Sequence, residues 1–280
     1  MNETKRLYYQ YLGFINTSSL LKQNIINIEQ FYLEKNTIDY DTFKNLQLNE
    51  QLPLGKRIEF FFELYLNNTN KYNILYKNLQ INHDKLTIGE FDFIIENIQT
   101  KQILHIELVY KFYIYLENSD EIKRYIGPNN HDSLEDKLNK LKTKQFPLLY
   151  NNLTKEKLNT LNIKDIKQKL CFLGNIFIPS TINANFKNIN QECISGSYID
   201  FNEFIKNVKY KTYQYILPQK QDWIIDPKYF ENWNCYDDIL HKINQHFSRN
   251  ISAFIYMKND SYFFKIFILQ NRYISSSICV

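Results

Sequence analysis

Glycine and proline are scarce, with six of each in 280 residues, and no glycine-rich loop of the kind that cradles phosphate is present. Alanine occurs only at Ala184 and Ala253. No apolar run approaches the roughly 20 residues needed to cross a bilayer as a helix. The four cysteines, Cys171, Cys193, Cys235 and Cys279, have no short spacing, and neither a Cys-His signature nor a Ser-His-Asp order stands out. The start Met1-Asn2-Glu3-Thr4-Lys5 has no basic-then-apolar leader, so a reducing cytoplasm is the expected compartment. A net charge of only +4 gives no general pull towards nucleic acid, although a local basic stripe is still able to bind it.

What is present is apolar and aromatic: 44% hydrophobic residues, including 22 tyrosines and 21 phenylalanines. That is enough for a sizeable core in one large domain or two ordinary ones. The bias towards Asn, Ile, Lys, Tyr and Phe reads as low-GC coding composition, so the Asn-rich stretches are not taken as disorder.

Along the chain, helical spacing around Leu20, Leu21, Ile25, Ile26, Ile28 and Phe31 predicts one or two helices within residues 1–50. Pro53 and Gly55 precede Ile58, Phe61, Phe62, Tyr65 and Leu66, an amphipathic helix starting near Leu54 and carrying Glu59 and Glu63. Thr87–Ile95 and Gln102–Tyr115 read as a β-hairpin, and Ile251–Met257 with Tyr262–Leu269 as a second one. After the breaker Gly127-Pro128-Asn129-Asn130, Asp132 or Ser133 caps a helix with Leu134, Leu138, Leu141, Gln145 and Leu148 on one side, ended or bent by Pro147. The expected architecture is a mixed α/β domain: an N-terminal helical segment (1–50), a core (51–180), and a C-terminal extension packed on the same domain (181–280).

Strand alternation points Phe91 and Phe93 one way and Glu90 and Asp92 the other. In the next strand His105, Glu107, Val109 and Lys111 share a face. If Asp92 and Glu107, on adjacent strands, face each other, their oxygens make a hard site of the sort Mg²⁺ or Mn²⁺ uses. The bland alternative is a solvated sheet face.

These words carry a resemblance. Gly89-Glu90-Phe91-Asp92-Phe93 followed by His105-Ile106-Glu107 resembles the metal-binding hairpin of the PD-(D/E)XK nuclease superfamily. Within it, the chain is similar to a bacterial family known as domain of unknown function 1853, through Leu54-Gly55-Lys56-Arg57-Ile58-Glu59, Lys111-Phe112-Tyr113, Tyr125-Ile126-Gly127-Pro128-Asn129, and Lys137-Leu138 through Gln145-Phe146-Pro147-Leu148. Weaker echoes at Leu173-Gly174 to Pro179 and Trp223 to Pro227 extend the likeness over most of the chain. The resemblance implies a restriction-endonuclease-like core, with a central mixed β-sheet flanked by helices and an extra C-terminal hairpin and helices. It also implies that Glu59 and Gln145 support the site, with Asp92 and Glu107 as metal ligands and the Leu108 carbonyl as a third. The superfamily's lysine, two residues after the glutamate, is here Val109. Lys111 is expected to stand in for it, although four extended residues span about 13 Å.

Nine lysines lie between Lys137 and Lys169. Of these, Lys137, Lys140 and Lys144 are expected to meet DNA phosphates, against the reading of a solvated helix face. His105 is either a neighbour of the metal site or, as is more common for a strand histidine, structural. His241 and His246 are five apart and share no helix face suited to zinc. The expected function is Mg²⁺-dependent hydrolysis of DNA phosphodiesters. The alternatives are a catalytically silent module that binds nucleic acid or protein, and a scaffold.

Overall fold

The computed structural model describes residues 1–22, 25–116, 122–181 and 186–270; Cys279 lies outside them. One mixed sheet runs through the described chain. Its strands are β1 (Glu29–Gln30), β2 (Tyr72–His83), β3 (Leu86–Asn97), β4 (Ile103–Tyr115), β5 (Tyr125–Ile126), β6 (Lys167–Pro179), β7 (Ile194–Asp200), β8 (Gln214–Ile216), β9 (Ala253–Asn259) and β10 (Tyr262–Leu269). The spatial order is β2-β3-β4-β6-β7-β10-β9-β8, with β1 on β6 and β5 on β4. The pairs β4–β6, β6–β7 and β7–β10 are parallel and the hairpin pairs antiparallel.

The helices α1 (Glu3–Ile15), α2 (Tyr40–Lys44) and α3 (Leu54–Asn68) supply most of one apolar layer. In α3, Ile58, Phe61, Phe62, Tyr65 and Leu66 are buried at three- and four-residue intervals, and Phe62 meets Phe93 edge-on at 4.9 Å. Against the other face lie α4 (Leu134–Lys140) and α5 (Asn152–Thr160), then α6 (Phe201–Lys206) and α7 (Tyr236–Ser248). Ser133 caps α4 by accepting the Asp136 N–H. The helix then widens into a π turn over Leu141–Gln145 and tightens into a 3₁₀ turn over Phe146–Tyr150, where Pro147 sits.

Both expected hairpins are present, but the expected helix over Leu20–Phe31 is not. The two helices within residues 1–50 are α1 and α2, and the described part of residues 18–31 lies along β6. The reason is the sheet itself. β7 joins β6 only from Ile176 onward, leaving the Leu170–Gly174 edge open. The passing segment satisfies that edge: Leu20 N–H donates to the Phe172 carbonyl (2.7 Å), Phe31 N–H to Leu170 (2.9 Å), and Gly174 N–H to Ser18 (3.4 Å). Leu20 and Leu21 are buried there rather than on a helix. Sequence reading also passed over β2, which forms the sheet's outer edge beside β3. Among the described residues no helix is long and apolar enough to cross a membrane.

Candidate functional site

The β3–β4 ladder pairs Glu96 with Ile103 through Phe93 with Ile106, and goes no further. One residue on, the Asp92 carboxylate takes the place of a strand partner, its Oδ2 accepting the Leu108 N–H at 2.9 Å. On the other side β3 meets β2, where Lys77 pairs with Phe93 and Leu79 with Phe91 while Asn78 and Asp92 between them do not pair. Asn78 has a left-handed φ of 53°, so both strands kink together at this point. Strict alternation therefore fails. Phe91 and Phe93, expected on one side, are divided: Phe93 packs on α3, and Phe91 packs with Ile94 and Leu148 and meets the His105 ring edge-on at 4.6 Å.

In β4 the alternation holds. His105, Glu107, Val109 and Lys111 share a face, and Val109 is buried among apolar side chains near Leu138. Glu107 is completely buried, and both its oxygens are engaged. Its Oε1 accepts from His105 Nε2 at 3.0 Å, and its Oε2 accepts from Gln145 Nε2. Gln145 in turn accepts from Lys137 Nζ at 2.9 Å. On the far side, Gln168 Nε2 donates to His105 Nδ1 (3.2 Å) and to the Phe146 carbonyl (2.9 Å). An amide nitrogen only donates, so His105 Nδ1 is the acceptor and its proton sits on Nε2, pointing at Glu107. His105 thus holds the Glu107 carboxylate.

The Lys137–Gln145 contact depends on the π turn. In a regular helix of 3.6 residues per turn, residues eight apart are about 80° out of line. The wide turn over Leu141–Gln145 closes that gap, a known use of such turns at functional sites.

Glu59, on α3, accepts from Lys56 (2.7 Å) and from Asn78 (3.3 Å) at the kink. A cavity of about 370 Å³ opens here, lined by Glu59, Asp92, Lys111, Lys137, Gln145 and Trp223 among others. Five of the eight residues singled out from sequence therefore line one cavity, and a sixth, Glu107, is bonded to one of those five, Gln145. Lys140 and Lys144 stand apart on the exposed side of their helix. Lys137, unlike them, is turned inward and held by Gln145 among the acids. Lys111 is ion-paired with Asp132 at the cavity.

Burial and the nearby Glu107 carboxylate push the Asp92 carboxyl up to about 7, with Glu59 adding to the effect and the Leu108 N–H and Lys137 opposing it. Burial pulls the Lys137 ammonium below the usual lysine range, while Glu107 and Asp92 pull it back. Asp92 Oδ1 has no hydrogen-bond donor among the described residues. A partly buried acid crowded by acids and short of donors is a site that favours a cation. Among the described residues no three or more His, Cys, Asp or Glu side chains are grouped to hold a metal ion. The donor set suits Mg²⁺, which uses one or two carboxylates and takes its remaining ligands from water and phosphate oxygens.

Sequence reading missed Asn78, Asp132 and Gln168. Asp132 was visible only as a possible helix cap, and Gln168 reaches His105 only through a parallel pairing that nothing local announces.

The model of a family described as a domain of unknown function (DUF1853) matches residues 15–260. The chain belongs to that family. The matched span contains every residue of the cavity named above. No curated protein and no solved structure matches the chain.

Proposed function

We propose that this DUF1853 chain is a divergent PD-(D/E)XK nuclease, with a restriction-endonuclease-like core, that hydrolyses DNA phosphodiesters with Mg²⁺ or Mn²⁺. The observation that carries the reading is the row Lys137–Gln145–Glu107 set beside Asp92 where two antiparallel strands part. Asp92 and Glu107 hold the ion, with the Leu108 carbonyl as a third donor. The bound ion supplies Lewis acidity to the scissile phosphate and a more acidic water.

The chain's own residues do the rest. Gln145 fixes the Glu107 carboxylate from one side and His105 from the other, so its orientation does not depend on substrate. Lys137, tied to Gln145 and facing both acids, takes the place of the lysine replaced here by Val109: it orients the attacking water. Lys111, held by Asp132 at the cavity, binds a neighbouring phosphate, a smaller role than the catalytic one expected from sequence. Glu59 and Asn78 brace the kink.

The test is cleavage of linear and circular, single- and double-stranded DNA with either metal. Asp92→Asn and Glu107→Gln abolish cleavage. Lys137→Met lowers it by about two to four orders of magnitude, and Val109→Lys in that background restores part of it. Cleavage surviving in both carboxylate variants overturns the reading. Val109 and the fully engaged Glu107 favour a second reading, a silent DNA-binding module: binding in a gel-shift assay with no cleavage on any substrate decides for it.

A further inference from the structure

A second cavity, of about 410 Å³, lies between the end of α1, the β6–β7 strands and the Asp226–Tyr229 turn. It has a charge that nothing answers. Lys265, on β10, is partly buried where it lines this cavity, and its ammonium has no hydrogen bond or ion pair among the described residues. Burial pulls it below the usual lysine range, with Asp226 opposing. The other charges in the lining are occupied or face solvent. Asp226 pairs with Lys228 at 3.2 Å, and exposed Glu192 accepts from Ser18 Oγ at 3.0 Å.

The polar wall is a directed chain. Ser195 Oγ donates to Asn175 Oδ1 (2.8 Å), and Asn175 Nδ2 donates to Tyr110 OH (3.1 Å). Thr17 Oγ1 donates to the Gly13 carbonyl (2.7 Å), so Tyr110 OH must donate to Thr17 (2.8 Å). The hydroxyl protons of Ser195, Tyr110 and Thr17 are then committed, and one Asn175 amide proton is left over. The unmet groups are thus donors: an ammonium and an amide N–H. Next to this cavity is a second lobe of about 530 Å³ that shares Lys265, Ser195 and Asp226 and is otherwise walled by Ile178, Pro179 and Phe263 among others. Pockets of this combined size and mixed lining are typical for small organic ligands.

We propose that this cleft binds a small organic oxyanion, a phosphate ester or carboxylate, with its charged end on Lys265 and Asn175 and its apolar body in the Phe263 lobe. An oxyanion supplies the counter-charge that the unpaired ammonium lacks, and acceptor atoms match the free donors. The ring or chain of the ligand covers Phe263, which is left partly exposed. The inference is independent of the nuclease reading.

Calorimetry on the full chain with inorganic phosphate, a nucleoside monophosphate, the matching nucleoside and benzoate tests it. The nucleotide or benzoate binds more tightly than phosphate alone, the two distinguishing a phosphate from a carboxylate ligand, and the neutral nucleoside does not bind. Lys265→Met weakens binding at least tenfold, the scale of one charge-assisted hydrogen bond. Asn175→Asp, which sets an anion beside Lys265, does the same and serves as the check should Lys265→Met fold poorly. The proposal is overturned if no oxyanion binds at about 10 mM, if the nucleoside binds as well as its phosphate, or if both variants bind as the wild type does.

Discussion

Asp222 and Asp92 are acids withdrawn from water in two parts of the same molecule, and their surroundings are opposite. Asp222 receives Arg6 Nε and Nη2, each at 2.8 Å, and Gln10 Nε2 at 2.7 Å. Gln10 is itself held by Arg57, whose other nitrogens donate to the carbonyls of Leu52, Asn49 and Glu50. The network fastens α1 and α3 to the 220s with a bidentate pair and leaves Asp222 no oxygen without a donor. Asp92 has one backbone N–H, and its next neighbours in charge are two more acids. A carboxylate closed on all sides is a fastening, whereas one left short of donors keeps its valence for something that arrives later.

The comparison breaks most visibly through stability. Asp222→Ala leaves partly buried Arg6 and buried Gln10 without their acceptor, beside buried Arg57, and is expected to destabilise the fold by about 2–4 kcal/mol, measured by urea unfolding. Asp92→Ala is expected to be near neutral by the same measurement, because it removes a charge that the fold holds at a cost. Equal losses at the two positions would erase the distinction.

The pH dependence sharpens it. Folding raises Asp92 from 3.8 to about 7, so the folded state binds the extra proton between those values. Its stabilising contribution is full below about pH 4 and is lost as pH rises through 7. Wild type without divalent ions therefore loses on the order of 2–4 kcal/mol more than Asp92→Asn between pH 4 and 8. Parallel curves for the two proteins would show that the carboxylate is not held protonated.

A third expectation concerns the link between the regions' hydrogen-bond styles. Gln145→Leu removes the partner of both Lys137 and Glu107 and is expected to cost about 1–3 kcal/mol. Added Mg²⁺ recovers part of it, read as a larger metal-induced shift in Tm than in wild type. A Tm unchanged in both conditions would mean that the glutamine bridges nothing of weight.

How much of this was readable beforehand follows from how local each cause is. The hairpins, the α3 stripe and the Ser133 cap are written in adjacent residues, and so was the shared face of His105, Glu107 and Lys111. β2 was not read, because Tyr72–His83 mixes Asn and Lys among its apolar positions and kinks at Asn78, which spoils the two-residue period. The Leu20–Phe31 segment was misread because its apolar residues answer an open edge of β6, some 150 residues away in sequence. For the site, alternation gave Asp92 and Glu107 but not the parting of the strands between them. Lys137 and Gln145 were each singled out, yet their contact needed a π turn that local spacing does not announce.

The smallest expected effect separates Lys137 from its neighbours on the same helix. Lys140 and Lys144 are exposed and make no hydrogen bond or ion pair among the described residues, so replacing both by Gln is expected to change stability by no more than about 0.5 kcal/mol. If they meet DNA, each contact releases counterions, and the slope of log K against log salt becomes shallower by about 2 for duplex DNA. Lys137→Gln is expected to act differently. It disturbs the bond to Gln145 and with it the Glu107 carboxylate, so its effect falls on cleavage while the salt slope stays as in wild type. Salt titrations of binding by fluorescence anisotropy distinguish the two. A shallower slope for Lys137→Gln and none for Lys140→Gln/Lys144→Gln would return Lys137 to the phosphate-contacting surface and take it out of the acid cluster.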